Sequence, residues 1–268
     1  MKVAVIQMNT KSDKEENLRK AEGFIRQAAD NGAELISLPE YFNYMGEESG
    51  KIENAEQIPD GRTTSFLSGL AKEYGIFIHA GSIIEKYSNE KSYNTSIIVS
   101  PDGKIVGNYR KIHLFDIEIN GVSSYMESNS IEGGDSAEIV ELPFGKAGMA
   151  ICYDLRFPEL FRKYALEGCN VLFLPAAFTQ YTGMLHWETL LRARAIENQC
   201  YVIAAGQIGS HLPGKVCYGN SMIIDPWGTV VAKAPEKESI IYAELEGERV
   251  QSARESIPCL THRKPQYY

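Results

Sequence analysis

An internal repeat is the feature of this 268-residue chain that most limits how it can fold. Three pairs of segments resemble one another in the same order along the chain: residues 32–39 and 168–175, residues 76–83 and 201–208, and residues 93–106 and 218–231. The first pair ends in Leu-Pro, and the other two pairs share one offset of 125 residues. The chain is therefore predicted to consist of two halves with the same succession of elements.

Each half alternates predicted strands with predicted helices. The expected order is strand 3–8, helix 13–31, strand 35–39 and helix 63–74, then strand 148–151, helix 158–167, strand 171–175 and helix 186–198. Apolar residues of the first helix recur on one face, and a Pro-x-Gly turn predicts an antiparallel hairpin late in each half. This alternation predicts an α/β fold. We expect one domain over residues 1–268, a four-layer αββα sandwich in which two mixed sheets from pseudo-equivalent halves pack together.

Charge and cysteine content limit the partners. The net charge is −8, and Lys and Arg form no basic stripe, which argues against nucleic-acid binding. No apolar run reaches the ~20 residues of a membrane helix, and Met1–Gln7 resembles a strand rather than a signal peptide. Five cysteines without Cys-x-x-Cys or zinc-ligand spacing indicate reduced thiols. We expect a cytoplasmic protein without membrane, nucleic-acid or metal partners.

The two halves differ where a strand ends. Glu40 follows the first Leu-Pro strand, whereas the second is followed by Ala176. The first hairpin runs into Lys111, while the second reaches residues 234–236. Cys152 follows the opening strand of the second half, where a loose alignment has Met8 in the first. Ligands of α/β sheets gather at the carboxyl ends of strands, so these three positions are candidates for chemistry.

A carboxylate, an ammonium and a thiol can together hydrolyse an amide. A thiol with a pKa of ~8.5 needs a base or a nearby positive charge, which Glu40 or Lys111 would supply. Attack of Cys152 on a carbonyl carbon gives an oxyanion that an ammonium stabilises, then a thioester that water releases. Taken singly, each residue also has an ordinary role open to it: a core thiol, a loop carboxylate and a surface lysine.

A Cys-His-Asp arrangement is the mechanistic alternative. His113 lies two residues beyond the lysine, and Asp116 or Asp154 would complete such a triad with Cys152. Histidine is the usual base for a thiol, and spacing alone does not choose between the two sets.

Three ordered motifs resemble the signatures of the nitrilase (carbon–nitrogen hydrolase) superfamily. They are Leu38-Pro-Glu40, Arg110–Asp116 (RKIHLFD) and Ile151–Glu159 (ICYDLRFPE), supported by residues 186–188, 192–198 and 225–228. The resemblance implies an αββα sandwich, a Glu-Lys-Cys triad, and no cofactor or metal. It implies Glu40 as general base, Lys111 as proton donor and oxyanion stabiliser, and Cys152 as nucleophile, with the Tyr153 N–H in the oxyanion hole.

The same resemblance implies a fourth carboxylate after the lysine motif. Glu127, in Met126-Glu-Ser, is our candidate to position Lys111 and the substrate amine, with Glu118 and Glu132 as alternatives. The surrounding stretch, residues 120–135, is rich in Gly and Ser and is a candidate mobile lid.

The residues after the nucleophile indicate a branch of the superfamily. Cys-Tyr-Asp-Leu-Arg-Phe-Pro-Glu is similar to the branch of ω-amidase and deaminated glutathione amidase, and residues 126–130 and 190–202 look closer to the latter. This implies hydrolysis of a linear amide of a small keto acid. An ω-amidase acting on 2-oxoglutaramate or 2-oxosuccinamate is the alternative, and a non-catalytic binding protein on the same fold is a further one.

Substrates of both kinds carry a carboxylate, so an anion-binding group is expected. Arg156 is the candidate, with structural pairing to a nearby acidic residue as its alternative role. Tyr41, Phe178 and His186 are expected either to line the pocket or to pack. By resemblance, the tail at residues 260–268 reaches a partner subunit, which predicts a homodimer.

Overall fold

The computed structural model of the chain describes residues 1–119 and 123–267, apart from the side chains of residues 119 and 123. The helices are α1 (Lys14–Asp30), α2 (Ser49–Asn54), α3 (Arg62–Tyr74), α4 (Pro158–Leu166), α5 (Gln180–Asn198) and α6 (Gly247–Ser256). The strands are β1 (Lys2–Gln7), β2 (Leu35–Ser37), β3 (Phe77–His79), β4 (Ile83–Lys86), β5 (Ser92–Val99), β6 (Ile105–Arg110), β7 (Asp116–Ile119), β8 (Ser123–Met126), β9 (Ile131–Glu132), β10 (Ile139–Leu142), β11 (Gly145–Met149), β12 (Val171–Phe173), β13 (Tyr201–Ala204), β14 (Ile208–Leu212), β15 (Lys215–Tyr218), β16 (Met222–Ile224), β17 (Val230–Lys233) and β18 (Ser239–Glu244).

Two mixed sheets dominate the architecture. The first has the order β18-β1-β2-β3-β5-β4, with β6 and β9 also paired to β5, and the second has the order β10-β11-β12-β13-β16-β17. Strands β1, β2 and β3 are parallel, as are β11, β12 and β13, and the hairpins add antiparallel pairs. Hairpins β7–β8 and β14–β15 stand apart as two-stranded sheets.

Alternating side chains of β1 show the layers. Val3 and Val5 pack with residues of the second sheet, whereas Ala4 and Ile6 pack with apolar residues of α1 and α3. Helices α4 and α5 contact the second sheet. The His79 ring, from the first sheet, stacks on Phe173 of the second with ring centroids 4.4 Å apart. The predicted αββα sandwich is therefore correct.

The strand registers show how the halves correspond. Val3 pairs with Leu35 and Ala147 pairs with Val171, so β11 matches β1, and Cys152 falls where the first half has Met8. Leu35 also pairs with Phe77, whereas Val171 pairs with Tyr201. The repeat match of residues 76–83 with 201–208 is therefore wrong by one residue within β3 and β13, a shift that exchanges the faces of a strand.

The last strand of each half joins the sheet of the other half. Strand β18, at the end of the second half, pairs with β1, and β10, which follows the first half along the chain, pairs with β11. Neither sheet is built from one half alone, which simple stacking of two sheets did not predict.

Two predicted segments differ in detail. Helix α5 begins at Gln180, six residues earlier than predicted, in a stretch where Gly183 lowers helix propensity. A Cβ on Gly183 would lie 2.4 Å from Tyr218, so glycine is needed for close packing rather than for a turn. Within the predicted lid, residues 123–135 include β8, a 3₁₀ turn (Glu127–Asn129) and β9, while residues 120–122 lie outside the described residues. None of the helices in the described ranges is long and apolar enough to cross a membrane.

Candidate active site

Three residues singled out from the asymmetry of the repeat converge at the ends of their strands. Glu40 follows β2, Lys111 follows β6, and Cys152 lies three residues beyond β11. Lys111 Nζ lies 3.1 Å from Glu40 Oε1, and the Glu40 carboxylate lies close enough to the Cys152 thiol for its charge to raise the pKa of that thiol. All three are buried, with exposed fractions of 2% for Glu40 and Lys111 and 8% for Cys152.

Both oxygens of Glu40 are occupied by donors from other elements. Asn94 Nδ2, on β5, lies 2.8 Å from Oε1, and the Ala177 N–H donates to Oε2 at 2.6 Å. The following residue, Tyr41, has a φ of 55°, a left-handed conformation that is uncommon outside glycine. The chain therefore turns sharply after the strand and leaves the carboxylate fixed at its end.

The backbone at Cys152 is also in the left-handed region. Its φ is 47°, and its N–H donates to the Pro175 carbonyl at 2.9 Å. Such strain persists only where the surroundings impose it, and it clusters at functional sites. Cys152 opens a 3₁₀ turn that continues to Arg156, so the Tyr153 N–H, in the first turn, has no intrahelical acceptor. A donor of this kind beside the thiol is available to an oxyanion.

Glu127 is the second carboxylate on the lysine. Its Oε2 lies 2.8 Å from Lys111 Nζ and accepts the Phe115 N–H at 2.7 Å, while Oε1 accepts the Tyr41 hydroxyl at 3.0 Å. The sequence alternatives lie elsewhere, because Glu118 is exposed and Glu132 pairs with Lys91. The structure thus brings Glu127, and not those two, to Lys111.

The charges of the cluster set its protonation. Burial alone would lower the pKa of Lys111, but Glu127 and Glu40 outweigh it and hold that pKa well above the usual value. Burial would raise the pKa of Glu127, but Lys111 outweighs it and the pKa is lowered. Burial and then the Glu40 charge raise the pKa of the Cys152 thiol well above its ordinary value. The resting site therefore holds a neutral thiol beside a charged lysine.

The alternative base, His113, faces a different partner. Its Nδ1 lies 2.7 Å from Asp154 Oδ1, and its ring stacks on Phe157 at a centroid distance of 3.6 Å. Asp154 Oδ2 also accepts the Tyr109 hydroxyl at 2.7 Å and the Ile151 N–H at 2.8 Å. Among the described contacts, none joins His113 to Cys152. The His113–Asp154 pair instead ties the segment carrying Lys111 to the segment carrying the thiol.

Asp116, the other acid considered for that triad, accepts the Ser128 N–H at 3.0 Å. It therefore braces the turn that carries Glu127, and none of the described contacts joins it to His113.

A cavity of about 450 Å³ opens from the cluster. Glu40, Lys111, Glu127 and Cys152 lie on its wall. Glu48 and Lys51 are also on the wall, and the rest of it is mainly aromatic and apolar side chains and residues of the β14–β15 hairpin, among them Tyr41, Tyr44, Phe115, Tyr125, Met184, His211, Leu212, Lys215, Val216 and Cys217. Of the residues predicted to bind substrate, Tyr41 lines this cavity.

The other predicted binding residues lie on the far side of the thiol. Tyr153 and Phe178 line a much smaller pocket that shares Cys152 with the main cavity. Arg156 and His186 line neither pocket: the Arg156 guanidinium is 3.4 Å from His186 Nδ1 and lies over the rings of Phe178 (5.3 Å) and Tyr153 (5.8 Å). Arg156 thus lies behind the small pocket rather than on its wall.

Most of the cavity wall is formed by residues that no sequence motif indicates. Tyr125, Lys51 and the hairpin at 211–217 carry no motif, and they reach the site only through folding. The sequence indicates the hairpin only through its position directly before the repeated segment 218–231. Within the described residues, no group of His, Cys, Asp and Glu could hold a metal ion.

Comparison with known proteins identifies the family to which the chain with this buried thiol site belongs. Residues 2–255 match the model of the carbon-nitrogen hydrolase family. The chain is 42% identical to deaminated glutathione amidase of Synechocystis sp. (strain PCC 6803 / GT-S) over 264 residues, which is 97% of each protein. It is 40% identical to the human omega-amidase NIT2 over 267 residues, covering 100% of this chain and 96% of that one.

A solved structure agrees with this assignment. The crystal structure of the C. elegans NitFhit protein superposes with a TM-score of 0.94 at 39% identity, covering 100% of this chain and 66% of that one. This chain thus spans about two thirds of that longer protein. The chain belongs to the carbon-nitrogen hydrolase family and is an enzyme acting on amides, as the motifs predicted.

Proposed function

We propose that the protein hydrolyses the side-chain amide of a small keto acid through a thioester on Cys152, in the manner of a deaminated glutathione amidase. The observation that carries the proposal is the buried cluster in which Glu40 contacts Lys111 and lies on the same cavity wall as the Cys152 thiol. Thiol, base and cation are then within reach of a single carbonyl group.

In the first step Glu40 acts as general base. It takes the thiol proton as sulfur attacks the amide carbon, so the neutral resting thiol becomes nucleophilic only during attack. Lys111 and the Tyr153 N–H stabilise the oxyanion. Lys111 donates a proton to the amide nitrogen and receives in turn the proton held by Glu40. The C–N bond breaks, which leaves a thioester on Cys152 and a free amine.

In the second step the same groups act on water. Glu40 takes a proton from water, which attacks the thioester carbon, and the C–S bond breaks as the thiol is restored. Glu127 has a positioning role, because its two oxygens hold Lys111 Nζ at 2.8 and 3.1 Å while the Phe115 N–H and the Tyr41 hydroxyl hold Glu127. No cofactor or metal is needed for this sequence of steps.

The substrate follows from the relatives and from the size of the cavity. Relatives at 40–42% identity are a deaminated glutathione amidase and an omega-amidase. A cavity of about 450 Å³ lies within the range of small-ligand sites and gives room for a tripeptide-like amide. Deaminated glutathione is therefore our leading substrate.

The test uses deaminated glutathione as substrate and three variants of the triad. We expect the protein to release 2-oxoglutarate from deaminated glutathione, and Cys152→Ala to release none. Mass spectrometry of wild-type protein acid-quenched during turnover should show the 2-oxoglutaryl group on Cys152. Full activity in a Glu40→Gln or Lys111→Met variant would refute the triad.

An ω-amidase is the second candidate, favoured by the human relative named omega-amidase NIT2. Preferential hydrolysis of 2-oxoglutaramate over deaminated glutathione would establish it. The buried Glu40–Lys111–Glu127 cluster argues against a non-catalytic binding protein, because a scaffold gains nothing from two carboxylates and a lysine held away from water. Failure to hydrolyse any amide would revive that alternative.

We also propose a homodimer in the cytoplasm. Helix α5 exposes Met184 (58%), Leu185 (59%) and Ile196 (50%), and Trp227 near its end is 44% exposed. A second copy of the chain would cover these apolar side chains. Light scattering should give twice the chain mass, and Leu185→Glu with Ile196→Glu should give the monomer.

A further inference from the structure

The cations on the cavity wall differ in whether a carboxylate neutralises them. Lys111 lies between Glu40 and Glu127. Lys51 pairs with Glu48 at 2.8 Å and lies over the Tyr41 ring at 5.5 Å. Both ammonium groups are therefore already matched by acids of the protein.

Lys215 is the exception at the hairpin end of the cavity. Among the described residues, no carboxylate lies within ion-pair distance of its Nζ, although it lines the cavity. Its neighbour His211 does not supply a charge, because burial, Lys215 and Lys11 lower the pKa of His211 to about 4. Lys11 donates to the Ser210 carbonyl of the same hairpin and adds to the positive field there.

Lys215 is exposed and lies against an aromatic ring of the cavity wall. It directly follows a Pro213-Gly214 turn, in which Gly214 has a φ of 73°. Its Nζ lies 5.3 Å from the centroid of the Tyr125 ring, within cation–π range. Tyr125 in turn contacts Phe115, and Phe115 contacts Tyr153, at centroid distances of 5.6 and 5.1 Å. An aromatic wall thus connects the thiol to this ammonium.

The proton donors show which part of a substrate faces Lys215. Lys111 and Glu127 line the main cavity and do not line the small pocket beyond Cys152. A leaving nitrogen must lie within hydrogen-bond reach of its proton donor. The leaving amine therefore points into the main cavity, toward the hairpin.

We propose that Lys215 binds a carboxylate carried by the leaving amine, so that the enzyme favours amides whose nitrogen belongs to a short peptide with a free C-terminus over amides that release ammonia. This inference rests on the proposed function and names the residue that would select the substrate. It distinguishes the two candidate activities, because deaminated glutathione releases Cys-Gly whereas 2-oxoglutaramate releases ammonia.

Those two compounds form the same 2-oxoglutaryl thioester, so they differ only in the leaving group. We expect Lys215→Met to lower the ratio of kcat/KM for deaminated glutathione to that for 2-oxoglutaramate about 10-fold, mainly through KM, as expected for one charge-assisted contact. Lys215→Arg should keep the ratio within about threefold, and Lys215→Glu should lower it further. Release of 2-oxoglutarate measures both reactions.

A third substrate tests whether Lys215 recognises the C-terminal carboxylate of deaminated glutathione. Deaminated glutathione with its C-terminal carboxyl converted to an amide should be a roughly 10-fold poorer substrate for the wild-type protein and should lose that disadvantage in Lys215→Met. Lys104→Met, an exposed lysine outside the cavity, is the matched control and should behave as wild type.

Two results would overturn the inference alone: an unchanged ratio in Lys215→Met, or equal use of the acid and its amide by the wild type. Release of 2-oxoglutarate from neither compound by the wild type would overturn the proposed function and this inference with it.

Discussion

The two halves of the molecule have matching strands but unequal strand ends. After β2 the chain has Glu40 and Tyr41, whereas after β12 it has Ala176 and Ala177 at the matching positions. After β6 comes the buried Lys111, whereas after β17 the matching residue is Glu236, which is exposed. The acid and the amine therefore belong to one half and the thiol to the other.

The half without the acid still supports it. The Ala177 N–H donates to Glu40 Oε2, and Gln207 Nε2 donates to the Glu40 carbonyl at 2.9 Å. The Pro175 carbonyl accepts the Cys152 N–H. The duplicated scaffold thus brings equivalent strand ends face to face. One copy supplies the charged side chains, and the other supplies the thiol together with the backbone and amide groups that hold Glu40 and Cys152.

The largest expected difference between matching positions is at Lys111 and Glu236. Lys111→Met should lower activity at least 10³-fold and the free energy of unfolding by about 3–5 kcal/mol, because two buried carboxylates lose their cation. Glu236→Met, on the surface, should change the free energy of unfolding by less than about 0.5 kcal/mol. Denaturant titration and amide hydrolysis measure both.

If Lys111→Met fails to fold, Lys111→Met with Glu127→Gln provides the control. Removing one carboxylate should restore part of the stability but none of the activity. Recovery of activity in the double variant would contradict the role of the lysine.

Replacement of Glu40 should have the next largest effect on activity. Glu40→Gln should slow hydrolysis about 10²- to 10⁴-fold. It should also lower the pKa of Cys152, because the Glu40 charge is one cause that raises it. Ultraviolet absorbance of the thiolate during a pH titration, with Cys152→Ala as the blank, measures that shift. A thiolate that formed at higher pH in Glu40→Gln would mean that the acid does not face the thiol.

A smaller effect on activity is expected at His113, the alternative base to Glu40. His113→Asn should lower activity less than about 10-fold and the free energy of unfolding by about 1 kcal/mol, because Asp154 loses one of its partners. Loss of activity in His113→Asn together with full activity in Glu40→Gln would contradict the assignment of Glu40 as the base, since that pattern is typical of a Cys-His enzyme.

An effect confined to acid pH is expected between the sheets, where His79 of β3 occupies the place of Ile203 in β13. Ser37 and Ser96 contact its two ring nitrogens at 2.8 and 2.9 Å, and burial lowers its pKa to about 3. Its unfolded pKa is ~6.5, so between about pH 6.5 and 3 only the unfolded state gains this proton.

Stability should therefore fall as pH drops through that window, by at most about 1.4 kcal/mol per pH unit from this one group. His79→Gln should reduce the pH dependence of the free energy of unfolding in this window. It should change the free energy of unfolding at pH 8 by less. Urea titrations at several pH values measure it, and an unchanged slope would show that His79 does not contribute.

Much of the fold was predictable from local pattern. The helices α1, α3 and α4 and both Pro-x-Gly hairpins lie within a few residues of the predicted bounds, because apolar periodicity and turn residues act over short stretches. The start of α5 was missed because Gly183 indicates a break unless its packing against Tyr218 is known. The register of β3 was missed because an apolar strand buried on both faces looks alike when shifted by one residue.

The sequence by itself determined the repeat, the family motifs and the residue types of the reacting groups, since each is written in contiguous residues. Only the tertiary structure decided that Glu127 rather than Glu132 meets Lys111, that His113 turns to Asp154, and that Lys215 and Tyr125 share a cavity wall. Such contacts join residues far apart in the chain, and their geometry depends on how two sheets exchange their last strands.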